Sequence, residues 1–73
     1  MPLVDIQVIE GVFDAEEKKK MIEKVTDAIV EVEGETFRGG TWVRVQEFAS
    51  GSWGIGGKPV TTADVRSLRG QNT

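Results

Sequence analysis

A proline stands directly after the initiator methionine, and it is the residue in this sequence best suited to do chemistry. Methionine aminopeptidases readily remove Met before a small residue, so the mature chain is expected to begin with the secondary amine of Pro2. Such an amine can act as a general base when burial and nearby cations lower its pKa toward the working pH. The alternative interpretation is that Pro2 only marks the start of a strand.

The composition removes most other catalytic groups. The 73 residues include no Cys and no His, which excludes disulfides, thiolate and imidazole metal sites and Ser–His triads, so no metal and no cofactor is expected. The net charge of −3 argues against nucleic acid as a partner, because phosphate binding needs a basic surface. Apolar runs stay far below the roughly 20 residues of a membrane span, and no signal-peptide pattern is present. We therefore expect a cytoplasmic protein without a membrane segment.

Two segments alternate apolar and polar residues in the way that predicts β-strands. The first covers residues 3–9, directly after Pro2, and the second covers residues 41–48. In the second segment, Val43 and Val45 share one face, while the opposite face takes Trp42, Arg44 and Gln46. With a long helix between them, the two strands form a βαβ unit, in which they are expected to be parallel with a right-handed crossover.

The helix between these strands has clear predicted ends. Asp14 is suited to cap its N-terminus and forms a capping box with Glu17. The helix continues to about residue 33, and Gly34 is suited to end it. Its apolar stripe at helical spacing is expected to consist of Met21, Ile22, Val25, Ala28, Ile29 and Val32.

The segment after the second strand is rich in turn residues. Residues 52–55 are expected to form a short hairpin arm with a tight bend at residues 56–57. Thr61 or Thr62 is suited to cap a final helical turn, and residues 69–73 are expected to be a flexible tail. The whole chain is thus predicted to be a single α+β domain with a β-α-β core.

Self-association is the expected source of extra stability. One helix on a two-stranded sheet leaves the other sheet face and both edges uncovered. A chain of 73 residues buries a modest fraction of its surface and is only marginally stable alone. Small domains without disulfides or metals are commonly stabilised by partner subunits, so copies of this unit are expected to pack together.

Together these features resemble the 4-oxalocrotonate tautomerase family. They are the Pro after Met, a first strand ending in "IEG", a capped helix, a Val-rich second strand ending in Glu, and the arm "GSWGIGG". The likeness covers about residues 2–60, in order and with nearly the family's spacing. It implies a tautomerase-like β-α-β protomer, usually a homohexamer, whose processed Pro2 moves a proton between carbon and oxygen of a small enol or unsaturated keto acid.

The resemblance also implies apolar walls for the site. Trp53 matches the family's aromatic position in the arm, which lines the site and keeps it apolar. Ile9, at the end of the first strand, matches another apolar wall position. An alternative and compatible role for Trp53 is to fill an interface between subunits.

The arginines depart from the family pattern. The best-studied members carry an arginine directly after "EG", where this chain has Val12, and a second arginine at the position of Trp42, which is therefore also expected to contact the substrate. Arg44, on the same strand face as Trp42, or Arg38, in the preceding loop, is therefore expected to bind the substrate carboxylate. The alternatives are an ion pair for Arg44 and a solvated loop charge for Arg38.

Three functions stay open from the sequence. The leading one is a keto–enol tautomerase that uses Pro2 on a small carboxylate substrate. The second is hydration, dehalogenation or decarboxylation on the same base, for which the sequence shows no clear additional acid. The third is a non-catalytic or partner-dependent subunit of a hetero-oligomer, which the absence of an arginine at Val12 keeps open.

Overall fold

The computed structural model describes residues 2–70 and contains the main elements in the predicted order. In chain order they are strand β1 (Leu3–Ile9), helix α1 (Ala15–Glu33), a 3-10 turn (Glu35–Gly40), strand β2 (Trp42–Phe48), strands β3 (Trp53–Ile55) and β4 (Lys58–Val60), and helix α2 (Thr62–Leu68). Residues 71–73, part of the expected tail, lie outside the described residues.

The sheet is built from β1 and β2, which pair in parallel from Leu3 opposite Trp42 to Ile9 opposite Phe48. Strands β3 and β4 form a separate antiparallel hairpin in which Trp53 lies opposite Val60. The predicted α+β, β-α-β fold with two parallel strands, one long helix and a short C-terminal hairpin is therefore confirmed.

Helix α1 begins and ends where the sequence indicates. The Asp14 side chain accepts a hydrogen bond from the Glu17 amide at 2.8 Å, and the Glu17 side chain accepts one from the Asp14 amide at 3.1 Å. At the other end Gly34 has a φ of 101°, a conformation that favours glycine. Its amide still donates a hydrogen bond to the Val30 carbonyl at 2.8 Å. This is the last bond of the helix, which ends at Gly34.

The predicted apolar stripe of α1 is wrong at its C-terminal end. Val32 is 88% exposed, whereas Val30 is 7% exposed and belongs to the core with Ile9 and Val12, each 4% exposed. Two residues along an α-helix are separated by roughly 200° around its axis, so Val30 and Val32 cannot face the same neighbour. Ala28 and Ile22, also assigned to the stripe, are exposed as well, Ile22 at 36%.

The two faces of the sheet have different environments. Valines and isoleucines of both strands are half-buried on the side covered by α1. The opposite face is open in the protomer and carries Leu3, Asp5, Gln7, Trp42, Arg44 and Gln46, all exposed. Trp42 alone is 66% exposed, so a large aromatic side chain lies beside charged and amide groups on an uncovered surface.

Helix α2 contacts the turn at the carboxyl end of β1. Thr61 caps α2 through a capping box with Asp64, which selects Thr61 from the two predicted caps. The Thr62 hydroxyl instead donates to the Glu10 carbonyl at 2.6 Å. Gly11 has a φ of 78°, and a Cβ added there would lie 3.0 Å from the Thr62 side chain. Glycine is therefore required at this junction both by its backbone conformation and by the close approach of α2.

Two valines of α1 provide a matched test of this packing. Val30→Ala should lower the free energy of unfolding by about 1.5–2.5 kcal/mol, because it removes two buried methyl groups and leaves a cavity. Val32→Ala removes the same atoms from an exposed position and should change stability by less than about 0.5 kcal/mol. Urea denaturation at one fixed protein concentration measures both. An equal loss at the two positions would contradict the observed helix orientation.

Candidate active site

Pro2 is fixed at the start of the sheet. Its carbonyl accepts a hydrogen bond from the Trp42 amide at 2.9 Å, which extends the β1–β2 ladder by one step. The residue is half-buried, and its ring restricts φ. The backbone that carries the Pro2 nitrogen is thus held by a strand, which gives the amine a defined position when Met1 is removed.

A cavity of about 400 Å³ begins at the residue next to Pro2. Its lining combines the first residues of β1 and β2, the segment that precedes β2 and two positions of α1, namely Leu3, Ile22, Thr26, Gly39, Thr41, Trp42, Val43 and Arg44. Trp42 and Leu3 give it apolar surface, and Arg44 gives it a cation. The structure therefore brings together three of the predicted site residues, Pro2, Trp42 and Arg44, at one end of the sheet.

Arg44 is paired with Asp5, which lies directly opposite on β1. The guanidinium donates to both carboxylate oxygens, through Nε to Oδ1 and through Nη2 to Oδ2 at 3.2 Å. This hydrogen bonding lowers the pKa of the Asp5 carboxyl and raises the pKa of Arg44. The Arg44 side chain is 66% exposed, and exposed ion pairs contribute little. Asp5 can therefore hold Arg44 in place and still release it to another carboxylate.

Arg38 forms ion pairs at the turn that follows α1. It pairs with Glu35 within the turn and donates to the Asp27 carboxylate of α1 at 2.9 Å. These two carboxylates raise the pKa of Arg38, with Glu35 contributing most. The structure thus gives Arg38 a role in fixing the turn to the helix, whereas Arg44 lies on the cavity beside Pro2. Substrate binding by either arginine stays a prediction.

The remaining predicted site residues lie at the other end of the sheet. Trp53 packs edge-on against Phe48 with ring centroids 6.0 Å apart and borders a cavity of about 250 Å³. Ile9 is 4% exposed and belongs to the packed core. At about 3.3 Å per residue, this end is roughly 20 Å from Pro2 along β1. Within one protomer, Trp53 and Ile9 therefore lie too far from the Pro2 amine to share a site with it.

Sequence reasoning missed Arg66 and Arg69, which lie three residues apart at the end of α2. Arg69, expected in the flexible tail, donates to the Val12 carbonyl at 3.0 Å and to the Glu17 carboxylate at 2.7 Å. Its guanidinium also lies 4.6 Å from the centre of the Phe13 ring. Hydrogen bonding to Arg69 and to a backbone amide lowers the pKa of Glu17. The spacing of the two arginines on one helix face was the available signal.

Neither a metal site nor a membrane-spanning helix is found among the residues that the structure describes. Between residues 2 and 70, no group of three or more acidic side chains is placed to hold a metal ion. In the same range, α1 and α2 both lack the combination of length and apolar character that crossing a membrane requires.

A parallel βαβ unit that begins with a proline is the arrangement expected from the resemblance to 4-oxalocrotonate tautomerases. The sequence model of the family described as "Tautomerase enzyme" matches residues 2–63, and the chain belongs to this family. Among known proteins, "Probable tautomerase K2" of Dickeya dadantii (strain 3937) is 38% identical over 61 residues, which cover 84% of this chain and 90% of that protein. Family membership supports an isomerase activity.

Solved structures agree with this assignment. TomN, described as a 4-oxalocrotonate tautomerase homologue in the tomaymycin biosynthetic pathway, superposes with a TM-score of 0.74 at 27% identity, over 92% of this chain and 95% of TomN. DmpI from Helicobacter pylori gives a TM-score of 0.70 at 30% identity, over 81% of this chain and 95% of DmpI. The resemblance to 4-oxalocrotonate tautomerases is thereby confirmed.

The Asp5–Arg44 pair predicts a specific titration behaviour. Its hydrogen bonds hold the pKa of the Asp5 carboxyl below its ordinary value. A carboxyl with a depressed folded-state pKa stabilises the fold above its unfolded pKa, and this stabilisation is lost as pH falls through the folded pKa. Carbon-13 NMR titration should show Asp5 ionising at low pH in the wild type and at its ordinary pH in Arg44→Gln.

The matched control is Arg38→Gln, which should raise the pKa of Glu35 and leave that of Asp5 unchanged. If Asp5 titrates at its ordinary pH in the wild-type protein, the ion pair on the open sheet face does not form in solution.

Proposed function

We propose that this protein is a cytoplasmic keto–enol tautomerase that acts on a small enol or unsaturated keto acid, with the amine of processed Pro2 as general base. The observation that carries the proposal is the position of Pro2 at the start of β1, beside the cavity that Trp42 and Arg44 border. An apolar wall and a neighbouring guanidinium both disfavour the protonated amine, so each lowers its pKa toward the working pH.

The proposed reaction needs one proton carrier. In the direction from enol to ketone, the neutral Pro2 amine takes the hydroxyl proton, the oxygen electrons form the carbonyl, and the electrons of the C=C bond move to carbon. The resulting ammonium group then delivers its proton to that carbon and becomes neutral again. The substrate carboxylate would accept hydrogen bonds from Arg44 in place of Asp5, which aligns the reacting atoms with the amine.

We further propose that partner copies complete the site in a homohexamer. The open face of the sheet exposes Trp42, and the hairpin exposes Ile55, which is 64% accessible. Burying such surface between copies is favourable. A partner protomer would also bring its Trp53 end to the Pro2 end of this one, which a single chain cannot do across the roughly 20 Å of β1.

One observation favours a second candidate function, a subunit that requires a different partner chain for activity. Both arginines expected to bind substrate, Arg38 and Arg44, are already in ion pairs with carboxylates of their own chain. A partner chain could then supply the substrate-binding cation. The two candidates differ in one measurable property, which is whether the purified single chain turns over substrate.

Replacing the proposed base gives the direct test. Pro2→Ala exchanges a secondary for a primary amine and loosens the strand start, so kcat/KM for phenylpyruvate tautomerisation should fall by about 10²–10⁴-fold. The fold and the assembly should be retained, because Pro2 lies outside the helix–sheet core. The matched control is Pro59→Ala in β4, the other proline of the chain, which should keep wild-type kinetics.

Protein that retains Met1 provides the second comparison. Its Pro2 nitrogen is an amide and cannot accept a proton, so turnover should be lost with little change in stability. Equal rates for the processed and the Met-extended proteins would exclude the amine as the base. Inactivity of the processed single chain, with activity restored by a second chain, would establish the partner-dependent subunit instead.

A further inference from the structure

The cavity beside Pro2 contains one charged side chain. Of the described residues that line it, Arg44 alone is charged, and the others are apolar or neutral. Its two threonines already donate their hydroxyls within the protein. The Thr26 hydroxyl donates to a helix carbonyl at 2.7 Å, and the Thr41 hydroxyl donates to a carbonyl of the preceding turn at 2.9 Å. The lining side chains therefore offer a single cation to a negatively charged ligand.

That cation is itself shared with a carboxylate of the protein. Asp5 accepts two hydrogen bonds from Arg44, so a substrate carboxylate has to displace it. The displaced Asp5 stays on the neighbouring strand, directly opposite Arg44, where its charge repels further negative charge. Arg38 does not line the cavity and is held by two other carboxylates. The cavity can thus accept one carboxylate, whereas a second would meet an anion and no cation.

The rest of the lining is suited to an apolar ligand body. Leu3, Ile22 and Trp42 line the cavity and are exposed, so a ligand that covers them removes apolar surface from water. The flat indole of Trp42 also offers a stacking surface to a planar group. The end of the sheet that a partner copy would contribute has the same character, because the described residues around the cavity at Trp53 include no charged side chain.

We propose that the substrates of this site are apolar, planar enol or keto acids with a single carboxylate, and that dicarboxylic acids are selected against. Arg44 binds the carboxylate, and Trp42 and Leu3 contact the carbon skeleton. Asp5 is the specificity-determining residue that rejects a second negative charge, since an unpaired carboxylate that loses its water is not compensated. The reaction of such substrates rests on the proposed function, whereas the order of ligand affinities does not.

The binding experiment uses ligands that cannot react. 3-Phenylpropanoate has the carbon skeleton of phenylpyruvate without its keto group, so processed protein binds it without turnover. Its 4-carboxy derivative adds a second carboxylate to the ring, and 3-phenylpropanamide removes the charge. Isothermal titration calorimetry should rank 3-phenylpropanoate first. The dicarboxylate should bind about tenfold more weakly because its second charge is unpaired, and the amide several-fold more weakly because it lacks the charge-assisted hydrogen bonds.

Two substitutions test the residues that set this order. Asp5→Asn removes the repelling charge, so the difference in affinity between the monocarboxylate and the dicarboxylate should narrow several-fold. Trp42→Arg adds a second cation beside Arg44, so the dicarboxylate should become the tighter ligand. The matched controls are Trp42→Phe, which keeps an aromatic ring without a charge, and Glu16→Gln, which removes an exposed negative charge of α1 that lines neither cavity. Both controls should keep the wild-type order.

Thermal unfolding shows whether the variants remain folded, and the wild-type affinities decide the proposal if a variant does not. Equal or tighter binding of the dicarboxylate by the wild-type protein would overturn it, as would equal binding of the amide and the monocarboxylate. The expected order of affinities in protein that fails to tautomerise phenylpyruvate would refute the proposed function and leave the selectivity in place. Turnover of 4-carboxyphenylpyruvate as fast as phenylpyruvate would overturn the selectivity and leave the Pro2 mechanism in place.

Discussion

The parallel ladder between β1 and β2 is the constraint on which the rest of the structure depends. Its register sets Leu3 opposite Trp42 and Asp5 opposite Arg44, and its first hydrogen bond runs from the Trp42 amide to the Pro2 carbonyl. A slip of one residue would exchange the helix-covered and open faces of a strand. The buried valines and isoleucines under α1 therefore fix which side chains stand beside Pro2.

The same ladder separates the predicted site residues of one chain. Pro2, Trp42 and Arg44 lie at one end of the sheet, and Ile9 and Trp53 lie at the other. An active site that uses both ends must join two protomers, and the open sheet face with its exposed Trp42 provides surface for that contact. The proposed catalytic mechanism and the proposed assembly are thus two consequences of one strand register.

Local signals in the sequence predicted the fold well. Alternation located β1 and β2, and the side chains of Asp14 and Glu17 located the start of α1, because these patterns depend on neighbouring residues. The exposure of Val32 was not predictable in the same way, since the six predicted stripe residues lie within an arc of about 120° around the helix axis that includes Val32, whereas Val30 lies outside this arc. The burial of Val30 is decided by the sheet against which the helix packs.

The sequence indicates a candidate base but not the partners of the arginines. Pro2 follows from its place in the sequence, whereas the partners of Arg44 and Arg38 depend on residues 39 and 11 positions away. The docking of α2 through Arg66 and Arg69 likewise joins the end of the chain to the turn after β1. Pairings over such separations are set by tertiary contacts, which neither periodicity nor capping motifs report.

Complementation between two variants measures the central claim most directly, namely that each active site combines two protomers. Pro2→Ala and Trp53→Ala are unfolded, mixed in equal amounts and refolded together, and phenylpyruvate tautomerisation is measured. If Pro2 and Trp53 come from different chains, random association restores about a quarter of the wild-type sites, so the mixture exceeds both parent variants. If the mixture shows only the average activity of the two variants refolded alone, the site lies within a single chain and the account is wrong.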